Sequence, residues 1–413
     1  MKKTICLITN WYPTSDNPYQ GMFFKEQAFA LSDYYDFLVI HYSERNRKKP
    51  WQKTTVVLSN KEKNTIEYTV NTWLPLRMVV YDTIENLRHM YTRKGNVEGV
   101  GRYLSEKRRK YSKNKITAIF DKYFKDQFDA LYCVDAQQEA WFLQCLSEHY
   151  RKPYVIGEHA PVPWPGDVLT NANKEAIERA DLFFAISYDK IRQLMLLNLR
   201  LPRTVYIGNM IDDEKLNIDK EEHSGKTLLI MAAHSFYKNY DMFIRVMERL
   251  KQITNYPFRI MIAGYASNKG YAKDIDEFEK RIRASSIFHA TEMIPSVPHE
   301  QVGKLFNRAD AFIMTSIQEG QPVSALEAAC CGLPVFATRC GGVEDYVDQT
   351  VGRIYAINDI EGMACGLKEF IEGRITFAPE IIREKVIGLF GKRTFVEKFR
   401  DFFDSVIDTY QEL

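Results

Sequence analysis

Nowhere along these 413 residues does an apolar run approach the roughly 18 consecutive residues that a bilayer-spanning helix needs. That excludes an integral helical membrane protein and leaves a soluble or surface-associated one. The seven cysteines, at 6, 133, 145, 330, 331, 340 and 365, contain no Cys-x-x-Cys pair, and several sit inside apolar runs. An odd set of this kind excludes a fully paired disulfide framework and predicts reduced thiols in a cytosolic protein. No His/Cys cluster has ligand spacing, so no metal site is expected. A Gly-x-Gly-x-x-Gly turn after a strand is missing, which argues against a dinucleotide-dependent dehydrogenase. Internal repeats and low-complexity segments are missing as well. The 56 basic residues against 54 acidic ones leave a formal charge of +2, too little for a general pull toward nucleic acid. The start, MKKTICLITN, carries two lysines and then an apolar run too short for a secretory leader, so it reads as a first buried strand.

What is present is a globular composition, 45% hydrophobic and 13% aromatic, in a chain long enough for two cores. Short runs rich in β-branched and aromatic residues recur: TICLIT, DFLVIHY, DALYCV, KPYVIGE, DLFFAIS and RTVYIG, then TLLIMAA, FRIMIAG, DAFIMTS and LPVFAT. Longer helical patterns separate them. Strands alternating with helices imply parallel sheets covered on both faces, and the series occurs twice. The polar stretch 209–226 between the two series reads as a linker. The expected organisation is an N-terminal Rossmann-like domain over 1–208, the linker, and a second such domain over 227–394. A last helix over 395–413 carries Phe395, Phe399, Phe402, Phe403 and Val406 on one face and would cross back to the first domain. Two doubly wound domains of this kind place a ligand cleft between them at the carboxyl ends of their strands.

One stretch, SIQEGQPVSALEAACCGLPV from Ser316, concentrates chemistry. It reads as a strand end, a tight loop and a helix, with Pro322 suited to the first turn and Gly332 to the stop. Free backbone N–H groups between Gly320 and Ser324, a span that includes Gln321 and Val323, would face the loop, where the helix dipole also favours an anion. Glu319 lies ahead of this phosphate cradle and Glu327 lies inside the helix. A carboxylate can accept from both hydroxyls of a ribose, so the two acids could grip a nucleoside on one side of a diphosphate and a sugar on the other. Taken locally, a surface helix with two incidental acids fits the same residues.

The stretch resembles the E-x7-E signature of group 1 glycosyltransferases (family 4, retaining, GT-B fold). Glu319-Gly320, Pro322, Leu326-Glu327-Ala328, Gly332, Pro334-Val335, Gly341-Gly342 and Glu344 follow the family's order. The resemblance extends further. NWYPTSDNPYQGMFFKEQAFAL is similar to the first loop, with Gly21 as its glycine; VIGEHA places the active-site histidine at His159. IMAAHSFYKNYDMFIRVMERL is similar to the family's Gly-Arg…Lys-Gly segment, with Lys238 as the lysine and His234 where arginine is usual. Gln321 departs from the commoner aromatic or small residue, and Met210 follows Asn209 where glycine is usual. The resemblance implies an α/β protein of the GT-B class, two facing Rossmann-like doubly wound domains with the acceptor in the first. It implies a UDP- or GDP-sugar donor and no other cofactor. His159 and Glu319 would position the sugar, Lys238 and the cradle amides the phosphates, and Glu327 the ribose. It also implies a saccharide or lipid-linked acceptor and a place in cell-envelope polysaccharide or glycolipid assembly. The Asp274/Asp276 pair sits in an alternating-charge helical pattern and reads as a solvated face rather than a metal site. A catalytically inactive sugar-nucleotide-binding or scaffold protein is the alternative outside enzymes; an epimerase or hydrolase is the one within them.

Charge is uneven. Residues 86–125 hold twelve lysines and arginines against three acids, a surplus of nine in a chain whose total is +2. Ile116, Ile119, Phe120, Tyr123 and Phe124 fall on one helical face beside it. Such a segment suits an anionic membrane surface, which would make the protein peripheral on the inner face of the cytoplasmic membrane; a solvated helix pair is the plain alternative.

Overall fold

The computed structural model describes residues 2–13, 21–46, 52–62, 64–92, 104–137, 139–159, 169–221, 224–267 and 272–411. They fall into two compact units, residues 1–207 with 396–413 (unit 1) and residues 208–395 (unit 2).

Unit 1 is built on an eight-stranded sheet. Its centre is β1 (Lys3–Thr9), whose Ile5, Cys6, Leu7 and Ile8 are all buried, the near-continuous apolar run of a strand covered on both faces. β1 pairs in parallel with β2 (Tyr35–Asn46) on one side, Lys3 opposite Tyr35, and with β5 (Ala130–Cys133) on the other, Ile5 opposite Ala130. β6 (Tyr154–Glu158), β7 (Leu182–Ala185) and β8 (Thr204–Tyr206) continue outward from β5. On the far side of β2 lie β4 (Thr65–Leu74) and then β3 (Thr55–Glu62), the one antiparallel neighbour. The chain therefore reverses its winding direction at β1, and the carboxyl end of that strand is the place where such sheets bind ligands.

Among the described residues these strands are accompanied by α1 (Met22–Leu31), α2 (Leu76–Thr92), α3 (Glu106–Tyr123), α4 (Ala140–Tyr150), α5 (Asn171–Glu178) and α6 (Tyr188–Leu196). The apolar face expected on the basic segment is core: Ile116, Ile119, Phe120 and Phe124 are buried within unit 1, and only Tyr123 is exposed. Several of its cations are tied down too, Arg108 to Asp82 at 2.6 Å and to Glu44 at 3.6 Å, and Arg109 to Glu175 at 3.1 Å. Residues 93–103 of that segment lie outside the described residues, as do residues 14–20 of the first loop.

Unit 2 carries six parallel strands in the order β11 (Thr291–Ile294), β10 (Phe258–Ala263), β9 (Lys226–Met231), β12 (Ala311–Met314), β13 (Val335–Thr338) and β14 (Gly352–Tyr355). Helices α7 (Tyr240–Ile253), α8 (Ala272–Ala284), α9 (Val302–Asn307), α10 (Val323–Cys330), α11 (Ile360–Ile371) and α12 (Pro379–Phe390) pack around them. Of the stretch 209–226, expected as a linker, the described residues 209–221 and 224–226 belong to this unit. Ile211 donates its N–H to the Phe390 carbonyl at 2.9 Å, and Leu216 is buried. Asp219 donates its N–H to the Asn307 side chain at 2.9 Å. The Arg383 guanidinium donates to the carbonyls of Asp213, Leu216 and Cys330. A polar segment can still be fully engaged when its backbone supplies the partners.

The last helix, α13 (Lys392–Gln411), returns the chain to unit 1. Phe399 and Phe403 stack on each other at 4.9 Å and pack edge-on to Tyr35 and Tyr132, and Tyr35 donates its hydroxyl to Asp404 at 2.6 Å. Phe402, placed on the same face from sequence, is only partly buried and lies over Arg203 instead. Among the described residues no helix is long and apolar enough to cross a membrane. All seven cysteines are free thiols, and Cys365 alone is exposed.

Candidate active site

In unit 2 the loop after β12 is held by its neighbours before any ligand is considered. The Thr315 hydroxyl makes 3.1 Å bonds to the carbonyls of Lys238 and Asn239, and Ile317 donates its N–H to the Tyr237 carbonyl at 2.7 Å. These bonds fasten the loop to the short 3₁₀ turn Phe236–Lys238 that follows β9. From that turn the Lys238 ammonium reaches the Glu319 carboxylate at 2.6 Å, both side chains being mostly buried. Glu319 is fixed from behind as well, its N–H donating to the Cys340 carbonyl at 2.7 Å.

The second glycine turn closes on the same loop. Gly342 has φ +69°, and a Cβ there would sit 2.2 Å from the Gly320 carbonyl oxygen. Only glycine lets the two backbones meet in this way. Gly341 donates its N–H to Glu344 at 3.1 Å.

Helix α10 then starts at Val323, one residue later than its sequence suggests. Pro322 is the capping residue, extended at φ −72° and ψ 109°, and its carbonyl accepts the N–H of Leu326 at 3.2 Å. The first-turn N–H groups of Val323, Ser324 and Ala325 have no acceptor within the helix, as in any helix start. The far end closes as anticipated. Gly332 at φ +78° donates to the Ala329 carbonyl at 2.9 Å, and Leu333 donates to Ala328 at 3.0 Å, the paired bonds of a Schellman motif. Glu327 lies half-buried on this helix, one turn beyond its start.

Two expected ligand residues are otherwise occupied. Gln321 is buried, and its side-chain oxygen accepts the Asn209 N–H while its carbonyl accepts the Asn209 amide at 2.9 Å. It therefore ties the start of unit 2 to the loop. The His234 ring stacks on Tyr240 at 5.3 Å and 2° and tilts against Phe278 at 5.3 Å, with Nδ1 buried and unpartnered. Burial pulls its pKa below the usual value, although Asp274 opposes the shift. A neutral ring offers no cation where an arginine would have supplied one.

In unit 1, Gly21 caps α1 at φ +64°, and a Cβ there would lie 2.3 Å from the Trp11 carbonyl oxygen. Phe24 of that helix donates its N–H to the Gly21 carbonyl and sets its ring 4.7 Å from the His159 imidazole, edge to face. His159 follows β6 directly, is buried, and donates its N–H to the Val134 carbonyl at 3.2 Å. Gly21 and His159 are thus joined through α1.

Beneath them lies a buried polar group that sequence reasoning passed over. Glu158 accepts the Ala136 N–H at 2.8 Å, and Glu139 accepts the Asn10 N–H at 3.0 Å. Burial pushes the Glu139 carboxyl well above the carboxylate range, with Asp135 and Glu158 adding to the effect. Lys190, also buried, is pulled down to about 8 by burial against the opposing pull of Glu158, Asp189 and Asp135. The Gly-Glu-His order at the β6 end was the only signal available. A cavity of about 310 Å³ at this end of the sheet is lined by Asn10, Tyr42, Arg108, Glu139 and Asn173, among others. A cavity in unit 2, about 420 Å³ beside Thr227, Arg259 and Thr291, lies at the amino ends of β9, β10 and β11 and away from the Glu319 loop. Among the described residues no three His, Cys, Asp or Glu side chains are placed to hold a metal ion.

With these two sheet-centred units the chain has the GT-B fold. The whole chain is similar to sucrose-phosphate synthase of Thermosynechococcus elongatus (TM-score 0.73, 13% identity, 99% of this chain and 100% of that one). It is also similar to Anabaena HepE in complex with UDP (TM-score 0.69, 14% identity, 98% and 100%). Residues 212–386 match the family described as Glycosyl transferases group 1. Among curated relatives, an uncharacterized glycosyltransferase of Methanocaldococcus jannaschii is 24% identical over 36% of this chain and 36% of its own. The D-inositol 3-phosphate glycosyltransferase of Saccharomonospora viridis is 27% identical over 37% and 34%. The matched part thus spans about a third of those relatives' lengths.

Proposed function

We propose that the protein moves a sugar from a UDP- or GDP-sugar to a saccharide or lipid-linked saccharide, with retention at the anomeric carbon, in cell-envelope polysaccharide or glycolipid assembly. The observation that carries this reading is the Lys238–Glu319 pair, set between the start of α10 and the Gly341–Gly342 turn. A similar solved structure holds UDP, and another holds UDP with glucose, which supports a nucleoside-diphosphate donor. Here Lys238 and the first-turn amides of α10 take the diphosphate, and the chemistry needs no metal. An incoming phosphate competes for the Lys238 ammonium. The Glu319 carboxylate is then released to accept from sugar hydroxyls, while Glu327 accepts from the ribose.

His159 orients the sugar from its place at the β6 end. The acceptor oxygen attacks the anomeric carbon on the face the leaving group departs from. The bond to the phosphate oxygen breaks as the new glycosidic bond forms, and the acceptor proton passes to that phosphate oxygen. No side chain serves as covalent nucleophile in this scheme. The test is turnover of UDP- and GDP-sugars with and without saccharide acceptors. Release of nucleoside diphosphate only when acceptor is present is the expected result. Release without acceptor would indicate a hydrolase. Tight donor binding with no release would indicate an inactive binding protein, a reading to which the neutral, stacked His234 lends some weight.

A further inference from the structure

Helix α2 turns its apolar residues outward. Leu76 is 73% exposed, Val80 46%, Ile84 56% and Leu87 55%, while Met78 and Asp82 of the same helix are buried. The spacing of four, four and three puts the four apolar side chains in one stripe, about 16 Å long at 1.5 Å per residue. Arg77 and Arg88, also exposed, lie along one border of that stripe, eleven positions apart and so in line. The other exposed residue between Leu76 and Arg88 is Thr83, so this face carries no exposed acid; Asp82 is turned inward to Arg108 at 2.6 Å. The neighbouring helix adds to the positive border. Lys107 of α3 sets its ammonium 4.2 Å from the Tyr81 ring on α2, and Lys110 is exposed one turn further on.

We propose that this face of α2 docks the protein on an anionic lipid surface. The apolar stripe would enter the acyl boundary while the arginines and lysines engage lipid phosphates. Charge decides between occupants. A second copy of the chain would bring the same positive borders together, whereas an anionic bilayer complements them. A single protruding ridge also needs no preformed groove in a fluid surface. The stripe belongs to α2 of unit 1 and shares no residue with the transfer reading, and lipid binding requires no turnover. Failure of either proposal therefore leaves the other standing.

Flotation of the full-length protein with phosphatidylcholine vesicles, with and without phosphatidylglycerol, tests it. The wild type should float with the anionic vesicles. Ile84→Asp/Leu87→Asp should lower that partition on the order of tenfold or more, and Arg77→Glu/Arg88→Glu should remove the preference for anionic lipid. All four positions are exposed, so thermal midpoints should stay at the wild-type value, separating lost docking from lost folding. A wild type that stays in the unbound fraction would overturn the proposal. So would equal flotation of wild type and variants, or a concentration-dependent dimer that the Ile84→Asp/Leu87→Asp variant loses, which would give the stripe to a second copy.

Discussion

At the scale of single residues, Glu327 and Glu319 should separate binding from chemistry. Glu327→Ala removes a charged acceptor from the ribose hydroxyls and should weaken nucleoside-diphosphate binding by about 1.5–3 kcal/mol, measured by calorimetry. Equal affinities would take Glu327 out of the site. Glu319→Ala should leave that affinity nearly unchanged while transfer collapses, because its partner is the sugar. His234 makes a prediction in stability instead. Its folded pKa lies below the unfolded value, so the unfolded chain binds more protons through the interval between them. Its contribution is complete above the unfolded pKa near 6.5 and is lost as pH falls through the folded pKa. His234→Phe keeps the stacking on Tyr240 and should flatten the decline in urea midpoint between pH 7 and pH 5. His41, also lowered by burial and by Arg45, keeps its own share of that decline in both proteins. Identical slopes would show that the ring titrates freely.

At the scale of elements, α13 should matter more for stability than its terminal place suggests. Phe403→Ala empties a fully buried site among Tyr35, Tyr132 and Phe184 and should cost about 3–5 kcal/mol in urea unfolding. A cost below one kcal/mol would mean the helix is only loosely attached. This face was legible in the sequence because the aromatic spacing matches a helix packed on one side. So was α10, where Gly332 and Pro334 mark the stop. The ten anticipated strands all occur, but β3, β4, β11 and β14 were passed over. β3 exposes Val57 and Leu58 at the sheet edge, and β11 and β14 are four residues each, too short to show a period. Helical periodicity also misled on α3. It reports that one face is apolar, not which solvent that face meets. On α3 the face is core, whereas on α2 the apolar stripe looks outward and Asp82 goes inside. The protein contacts of Gln321 and His234 were not legible for a related reason: their partners, Asn209 and Tyr240, are set by folding rather than by the local pattern.

At the scale of the whole molecule, the proposed reaction leans on Lys238 and backbone amides for the diphosphate charge. Transfer should therefore persist in excess EDTA, assayed as nucleoside diphosphate released per acceptor glycosylated. Activity lost to chelation and restored by Mg²⁺ or Mn²⁺ would place a cation in the site and redirect attention to Asp274 and Asp276. The order in which the two units are threaded has a consequence for biosynthesis. Unit 1 is interrupted in the chain by all of unit 2 and resumes only at residue 396. On a ribosome adding about 5–20 residues per second, Phe399 and Phe403 follow Ile207 by roughly ten to forty seconds. Throughout that delay Tyr35, Tyr132 and Phe184 lack their cover, and the nascent chain shows a sticky aromatic patch while unit 2 is still being made. The interval is a window for chaperones, and a ribosome stalled within it would leave unit 1 open to aggregation.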